Sequence, residues 1–348
     1  MKITTSAPGK VVILGEYAVL EGAPALVMAV DRRVRVTLTT HGKPYCSVAA
    51  PGWTEETARF HFEAAGQVRF EGDSRDFSLV EHVIGEFSRW SGVEPVASFD
   101  LVLDSGSLME SAAGGPVKLG LGSSAALTVA LCSALSYYVA AHHQRTRAPD
   151  LGTLIGIHSA LQERRGSGLD VAASLHGGLI EYRRLPAPRA RTAELPAGVA
   201  TCFVWTGRQA ATGAFLAGVD RWRQEGERPY RRAMEALTEL ARAGTQAVLA
   251  NESEEFLRMT DSYAEALEDL GKASGTDIVS RPHRRLREIA RDHGVVYKSC
   301  GAGGGDVGVG LSCDAAALAG FQAAVAADSF KCLSLNIDRQ GVETRSES

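Results

Sequence analysis

Residues 118–126 read KLGLGSSAA and pass without a break into an apolar, alanine-rich run that extends to about residue 142. The glycines let the backbone turn tightly, and Ser123 and Ser124 lie where helix N-caps favour serine. The pattern therefore predicts a glycine-rich turn followed by a long buried helix. Such a turn presents unpaired N–H groups at the positive end of a helix, which is where a polyphosphate binds.

The glycine–serine turn is not by itself decisive. Turns of this composition also precede helices that bind no ligand, and the spacing does not match the GxxxxGK[ST] phosphate loop. No clear strand is predicted directly before it, as a dinucleotide fingerprint would require. Phosphate binding is therefore a hypothesis that needs partners elsewhere in the chain.

Composition narrows the class of protein and of ligand. The chain has 348 residues, of which 45% are hydrophobic and 22% charged, the balance of a globular protein large enough for two domains. A net charge of −4 argues against nucleic acid or an anionic membrane as the main partner, so we expect small molecules. Six scattered cysteines without a CxxC pair argue against disulfide scaffolding and zinc binding. The N-terminus lacks an apolar signal core, and no run of about eighteen uncharged apolar residues occurs, which predicts a cytoplasmic protein.

Hydrophobic periodicity predicts a chain of mixed helices and strands without internal repeats. The predicted strands cover residues 11–14, 34–40, 98–103, 201–205, 295–298, 307–311 and 332–337. The predicted helices cover residues 79–90, 123–142, 213–222, 229–251, 253–272, 284–293 and 315–327. The polar tail up to Ser348 is predicted to be loose.

Further charged residues lie beside turns elsewhere in the chain. Lys10 and Glu16 flank the short strand 11–14 and would lie at the rim of a sheet, either in a site or simply as solvated charges. Asp170 falls in the first turn of a small-residue helix, where a carboxylate also favours the helix dipole without any catalytic role. Residues 301–306 form a glycine-rich loop between two strands, which allows close approach of a ligand or of another loop.

Three motifs in order resemble those of the GHMP kinases, the family of galactokinase and the homoserine, mevalonate and phosphomevalonate kinases. They are APGKVVILGEYAVLEG at 7–22, GLGSSAA at 120–126 and SCGAGGGD at 299–306. The resemblance implies an α+β fold of two domains with the site between them. A ribosomal S5 domain 2-like, ATP-binding N-terminal domain would cover residues 1–195, and a ferredoxin-like C-terminal domain would cover residues 196–348.

Within the family, several details resemble the members that phosphorylate 5-phosphomevalonate. They are Tyr17 where mevalonate kinases usually have histidine, Lys118 two residues before the glycine motif, Gly-Ser-Gly before Asp170, Thr212 after Trp205-Thr206-Gly207, and Asp306 after three glycines. Two positions depart from that pattern, Val307 where cysteine is usual and Leu169 where phenylalanine is common.

The resemblance also implies roles for individual residues, with ATP and Mg²⁺ as cofactors. The implied catalytic residues are Lys10, Lys118 and Asp170. The implied ATP-binding residues are Gly120, Leu121, Gly122, Ser123, Ser124 and Ala125, and Ser124 is also the implied metal ligand. The implied substrate-binding residues are Glu16, Tyr17, Ser167, Gly168, Thr212, Lys298, Gly303, Gly304 and Asp306. Candidate clamps for the acceptor phosphate are Arg164, Arg165 and Lys298. A second metal ligand is not assigned, because the helix before Asp170 holds His158, Ser159, Gln162 and Glu163 in uncertain register.

The expected reaction is transfer of the ATP γ-phosphoryl group to 5-phosphomevalonate by a monomer or homodimer. Catalysis would come chiefly from positioning and charge stabilisation. A phosphate monoester with a second pKa near about 6 scarcely needs a base, so Asp170 either activates the acceptor or orients Lys10 or the metal. The alternatives are a mevalonate kinase acting on a hydroxyl group, and a non-catalytic family member that binds ATP or a metabolite.

Overall fold

The computed structural model describes residues 1–63, 67–72, 74–93, 97–112, 115–143, 148–160, 166–210 and 212–347. The strands are β1 (Lys2–Leu14), β2 (Ala25–His41), β3 (Cys46–Ala49), β4 (Thr57–Phe62), β5 (Val68–Phe70), β6 (Ser98–Asp104), β7 (Met109–Ala112), β8 (Gly115–Lys118), β9 (Leu179–Arg183), β10 (Arg189–Ala193), β11 (Ala200–Trp205), β12 (Val296–Ser299), β13 (Val307–Ser312), β14 (Lys331–Leu333) and β15 (Glu343–Glu347). The helices are α1 (Ser78–Ser91), α2 (Ser123–His143), α3 (Leu151–Ala160), α4 (Leu169–His176), α5 (Thr212–Glu225), α6 (Glu227–Ala250), α7 (Ser253–Ser274), α8 (Arg281–Asp292) and α9 (Ala315–Ala327).

A large mixed sheet contains both ends of the chain. Its strands run in the order β10-β9-β2-β6-β3-β4-β5, and β1 pairs with β2 on one side and with β15 on the other. β1 is 13 residues long, far longer than the predicted strand over 11–14, because β2 pairs with it antiparallel along nearly its whole length. Lys10 therefore lies inside a strand rather than at its start.

Helix α2 is the core helix that packs on this sheet. It contacts β1, β2, α1, α3 and α4, and its apolar residues face inward on several sides, as Ala126, Val129 and Leu131 show. Within the described ranges, α2 is the one helix long and apolar enough to cross a membrane by length and composition, and 61% of that window is buried in the fold. Contact on several sides explains an apolar composition all round the helix.

A second, four-stranded sheet lies in the C-terminal half in the order β12-β13-β11-β14. Helices α8 and α9 pack on it around Leu286, Tyr297 and Phe321. The predicted hairpin is confirmed, since β12 and β13 pair antiparallel and the glycine-rich loop joins them. The mixed architecture agrees with the α+β fold.

Two predictions about local structure are wrong. The C-terminal tail is not loose, because β15 pairs antiparallel with β1 from Ser6 opposite Glu343 to Lys2 opposite Glu347. A strand, β8, also precedes the glycine–serine turn and pairs with β7. Both strands satisfy backbone groups of a neighbouring strand, which outweighs their polar composition. The division at residue 195 remains a prediction, and β15 lies on the first sheet although it follows that boundary.

Candidate active site

A cavity of about 310 Å³ brings together four separate parts of the chain: β1 with the turn after it, the 118–124 loop, the turn before α4 and the 300–306 loop. The predicted site residues that line it are Lys10, Glu16, Tyr17, Lys118, Gly120, Gly122, Ser123, Ser124, Ser167, Asp170 and Asp306. Two larger surface depressions, of about 500 and 620 Å³, lie around α5 to α7 and contain none of the predicted residues. The smaller, chemically richer cavity is therefore the candidate active site.

The 118–124 loop is held against Lys10. The Lys10 main-chain N–H donates to the Leu121 carbonyl at 2.8 Å, and its ammonium donates to the Gly120 carbonyl at 3.3 Å. Gly120 has a φ of +76°, and a Cβ there would overlap the Asp306 side chain, so glycine is required for the second and third motifs to meet. Leu121 and Ala125 are buried in the core rather than exposed in the cavity. Their predicted part in ATP binding is thus confined to the backbone.

Lys118 lies at the cavity wall against an aromatic ring that sequence reasoning missed. Its Nζ is 4.5 Å from the centre of the Trp53 ring, which projects from the β3–β4 loop and is 44% exposed. Cation–π contact favours this placement of the ammonium. Burial lowers the pKa of Lys118, because the charged form loses water. No motif surrounds Trp53, so only the fold could reveal the contact.

The predicted metal ligand Ser124 has a buried histidine as its partner. Its Oγ lies 3.0 Å from His158 Nε2 on α3. Within the described ranges no group of three or more His, Cys, Asp and Glu side chains could hold a metal. Ser124 and Asp170 nevertheless line the same cavity, and oxygen donors with few protein ligands suit Mg²⁺, which keeps waters and phosphate oxygens. The residues present therefore fit a magnesium ion held jointly with a nucleotide.

Asp170 lies in the first turn of α4 and also lines the cavity. Its Oδ1 accepts a hydrogen bond from the Val171 N–H at 3.0 Å, whereas the N-cap position is Gly168, which has no side chain. The turn before it is fixed by two contacts: Tyr182 donates to the Ser167 carbonyl at 2.7 Å, and Gly168 packs so closely on Ile155 that a Cβ would lie 2.6 Å away. Gly168 thus supports the turn from behind rather than lining the cavity.

The 300–306 loop is anchored at its end by Asp306. This residue has a φ of +57°, its Oδ1 accepts from the Ala210 N–H at 3.0 Å, and its carbonyl accepts from the Thr206 N–H at 2.9 Å. Burial raises the pKa of Asp306, an effect partly offset by the Ala210 hydrogen bond and the Lys10 charge. Gly303 and Gly304 do not line the cavity, because they pack against Ile278 and Phe215.

A buried histidine supports the same loop from behind, and it makes stability depend on pH. His283 Nε2 donates to the Gly305 carbonyl at 2.9 Å, so Nδ1 accepts from the Tyr297 hydroxyl at 2.9 Å. Burial lowers the pKa of His283 from 6.5 to about 4. As the pH falls, the unfolded chain therefore takes up a proton on His283 at a higher pH than the folded protein does. The stabilisation is fully present above pH 6.5 and is lost as the pH falls towards 4.

We expect the His283 effect to cost about 2 kcal/mol of unfolding free energy between pH 7 and pH 5. Urea titrations at the two pH values measure it, with His283→Gln as the control, because glutamine does not titrate. The wild type should lose about 2 kcal/mol more than the variant on acidification. Equal losses would show that this histidine does not carry the pH dependence.

The structure places the remaining predicted residues differently. Lys298 does not line the cavity, contrary to its assignment as a clamp, because its fully buried ammonium pairs with Glu16. Arg164 and Arg165 lie outside the described residues, as do Gln162 and Glu163. Thr212 begins α5, and its side chain also lies outside the described part of the structure.

Arg184 is a cationic residue near the site that sequence reasoning missed. It lines a second cavity of about 250 Å³, which shares Tyr17, Leu20 and Leu216 with the first. Burial raises the pKa of Tyr182, while the charges of Arg184 and Asp170 act on it in opposite directions, so both lie near its hydroxyl. Among the described residues Arg184 has no hydrogen-bond or ion-pair partner. Its position after an ordinary strand gave no signal in the sequence.

Comparison with known proteins identifies the fold family. The family model described as GHMP kinases N terminal domain matches residues 78–178, which include the glycine–serine loop and Asp170. The chain is therefore similar to the GHMP kinases. The chain is also similar to a phosphomevalonate kinase from Streptomyces sp. strain CL190, 28% identical over 89% of each chain. A mevalonate kinase from Methanothermobacter thermautotrophicus is also 28% identical, over 88% of each chain.

Solved structures show the same fold. A Lin0012 protein from Listeria innocua superposes with a TM-score of 0.85 at 24% identity and covers 100% of both chains. Streptococcus pneumoniae phosphomevalonate kinase in complex with phosphomevalonate and AMPPNP gives a TM-score of 0.76 at 21% identity, over 97% of this chain and 99% of that one. The relatives thus support a GHMP kinase of the mevalonate pathway, a phosphotransferase, without deciding between mevalonate and phosphomevalonate.

Proposed function

We propose that this protein transfers the γ-phosphoryl group of ATP to the 5-phosphate of phosphomevalonate and forms the diphosphate. The observation that carries the proposal is the cavity in which Lys10, Lys118 and Asp170 meet the glycine–serine loop. The Streptomyces relative and the ligands named for the S. pneumoniae structure support this acceptor. The subfamily cues at Tyr17 and Asp306 both fall on the cavity wall.

The proposed mechanism relies on charge stabilisation and positioning. N–H groups at the start of α2 would bind the ATP phosphates, and Lys10, already tied to the Gly120 carbonyl, would meet the transferring group. Lys118 would approach from the opposite wall beside Trp53. Ser124 would hold Mg²⁺, which when bound neutralises charge on the phosphate oxygens. Because the acceptor phosphate is already anionic, Asp170 would orient the cations rather than remove a proton.

The acceptor would extend from the first cavity into the second. Phosphomevalonate carries a phosphate at one end and a carboxylate at the other, so it needs cationic partners at two places. Arg184 supplies a guanidinium in the adjoining cavity, beyond the shared Tyr17 and Leu20. Guanidinium groups bind carboxylate and phosphate through paired hydrogen bonds. Arg184 therefore replaces Lys298 as the proposed anion clamp.

Replacing Arg184 by leucine should raise the KM for the acceptor about 10- to 100-fold and leave the KM for ATP unchanged. A lost charge-assisted hydrogen bond of about 1.5–3 kcal/mol gives an effect of this size. Arg183→Leu is the matched control, because Arg183 pairs with the buried Glu181 and lines neither cavity. Steady-state kinetics with each substrate varied in turn measures both constants. A similar rise in the KM for the acceptor in both variants would show that Arg184 is not the anion clamp.

A coupled ADP-release assay with Mg²⁺-ATP tests the proposed function directly. Mevalonate and 5-phosphomevalonate are offered in parallel at equal concentration, and we expect turnover to prefer the phosphorylated acceptor. Preference for mevalonate would establish the second candidate, favoured by the M. thermautotrophicus relative, and would make Asp170 a base. ATP binding without turnover of either acceptor would favour the non-catalytic alternative. We propose a cytoplasmic monomer or homodimer without nucleic-acid or membrane partners.

A further inference from the structure

Lys298 and Glu16 form a buried ion pair beside the candidate active site. The Lys298 ammonium, on β12, donates to Glu16 Oε1 and to the Ser299 carbonyl at 2.6 Å. The Lys298 side chain is fully buried and that of Glu16 is 2% exposed. Burying two charges is costly unless the geometry and the surrounding hydrogen bonds are good. The pair must therefore be held by further contacts.

Contacts from both halves of the chain fix the orientation of Glu16. The Gly301 N–H donates to its Oε1 at 3.2 Å, and the Tyr263 hydroxyl on α7 donates to its main-chain carbonyl at 2.6 Å. The next residue, Tyr17, has a φ of +60° and donates from its hydroxyl to the Ala302 carbonyl at 2.6 Å. A non-glycine residue held in a strained conformation is typical of a functional turn. The carboxylate thus has little freedom to rotate.

The second oxygen of this carboxylate has no hydrogen-bond partner among the described residues. Glu16 Oε2 is buried and forms no hydrogen bond in the part of the chain that the structure describes. Glu16 also lines the 310 Å³ cavity together with Lys10 and Asp170. An unsatisfied buried acceptor is unfavourable, so the place of Glu16 beside the cavity points to a donor on the bound ligand. Lys298 already neutralises the carboxylate, which makes a neutral hydroxyl donor more suitable than a cation.

We propose that Lys298 is a positioning residue that holds the Glu16 carboxylate so that Oε2 accepts a hydrogen bond from a hydroxyl group of the acceptor. The inference rests on the proposed function, because 5-phosphomevalonate carries one such group, the hydroxyl on C3, which does not take part in phosphoryl transfer. Glu16 then recognises a hydroxy acid, and an acceptor without the hydroxyl leaves the oxygen unsatisfied. Lys298 acts only through Glu16 and does not touch the substrate.

The test compares 5-phosphomevalonate with its 3-deoxy analogue, 3-methyl-5-phosphonooxypentanoate. The ratio of the two kcat/KM values should be about 10 to 100 for the wild type, the effect of one buried acceptor left unpaired. This ratio should be smaller in Lys298→Met than in the wild type. In the double variant Glu16→Leu/Lys298→Met the two kcat/KM values should agree to within about threefold. The double variant also covers a failure of Lys298→Met to fold, because removing both charges leaves neither one buried alone.

The control variant Lys331→Met removes an exposed lysine that pairs with Glu110 at 2.7 Å, and it should leave the ratio unchanged. If the ion pair served only stability, its removal would lower Tm and leave the ratio of kcat/KM values unchanged. An unchanged ratio in the double variant would therefore overturn this inference but not the proposed function. If the wild type turns over mevalonate instead, the proposed function fails and the same comparison runs with mevalonate and 3-deoxymevalonate. Calorimetry that detects no binding of either acceptor pair would overturn both proposals.

Discussion

Lys10→Met and Lys118→Met are each expected to lower kcat by about 10²- to 10³-fold, whereas Asp170→Asn is expected to lower it only about tenfold. The two lysines would stabilise charge that develops on the transferring phosphoryl group, so their removal acts on the transition state. Among the described residues, Lys10 is the lysine whose ammonium contacts the Gly120 carbonyl. Asp170 would only orient its neighbours if the acceptor is already anionic.

Single-turnover and steady-state kinetics with saturating ATP separate these effects from nucleotide binding. Lys2→Met is a suitable control, since Lys2 lies at the other end of the same strand and pairs at the surface with Glu347 at 3.6 Å. Its kcat should equal that of the wild type. A loss for Asp170→Asn as large as for the lysines would contradict the orienting role and restore Asp170 as a base.

Gly303→Ala should lower kcat/KM by about 100-fold with both substrates, although Gly303 does not line the cavity. Gly303 has a φ of +87°, and a Cβ there would overlap the main chain of Ile278, which cannot move aside as a side chain could. The loop must therefore shift away from its seat, where the Gly304 N–H donates to the Ile278 carbonyl at 2.8 Å. A displacement of about 1 Å in a positioned site costs about 10²-fold in rate.

Gly301→Ala is the matched control for this loop. Gly301 has a similar φ of +79°, but among the described residues nothing lies within 4 Å of an added Cβ. Gly301→Ala should cost only the strain of a left-handed alanine, about 1–2 kcal/mol of unfolding free energy. Its loss of kcat/KM should therefore be smaller than that of Gly303→Ala. Kinetics and thermal unfolding of both variants make the comparison. Equal losses of activity would show that strain at glycine, and not the seat on Ile278, sets the position of the loop.

The parts of the site that the sequence could predict are those encoded in local patterns. Glycines and serines at 120–124 predict a turn before a helix, and the same pattern around Asp170 predicts a second one. Their order with the motif around Lys10 resembles a known family, which supplied the expectation that they meet. Periodicity likewise located α2, α6 and α7 to within a few residues.

The parts that the sequence could not predict depend on partners far apart in the chain. The sequence predicted Lys298 as an accessible cation, because no local pattern indicates that it pairs with Glu16, which lies 282 positions away. Trp53 and Arg184 lie in loops without a recognisable motif. Only the folded structure shows that Trp53 contacts Lys118 and that Arg184 lines the second cavity. The tail was misjudged for the same reason, since a polar segment forms a strand when an unpaired strand edge is available.

Pairing of β15 with β1 joins two segments that lie far apart in the sequence, with Thr5 opposite Thr344, 339 positions away. The entropic cost of closing a loop rises with its length, although only slowly. This cost must be met before so distant a contact contributes any stability. We therefore expect β15 to join the sheet late in folding, after β1 and β2 have paired.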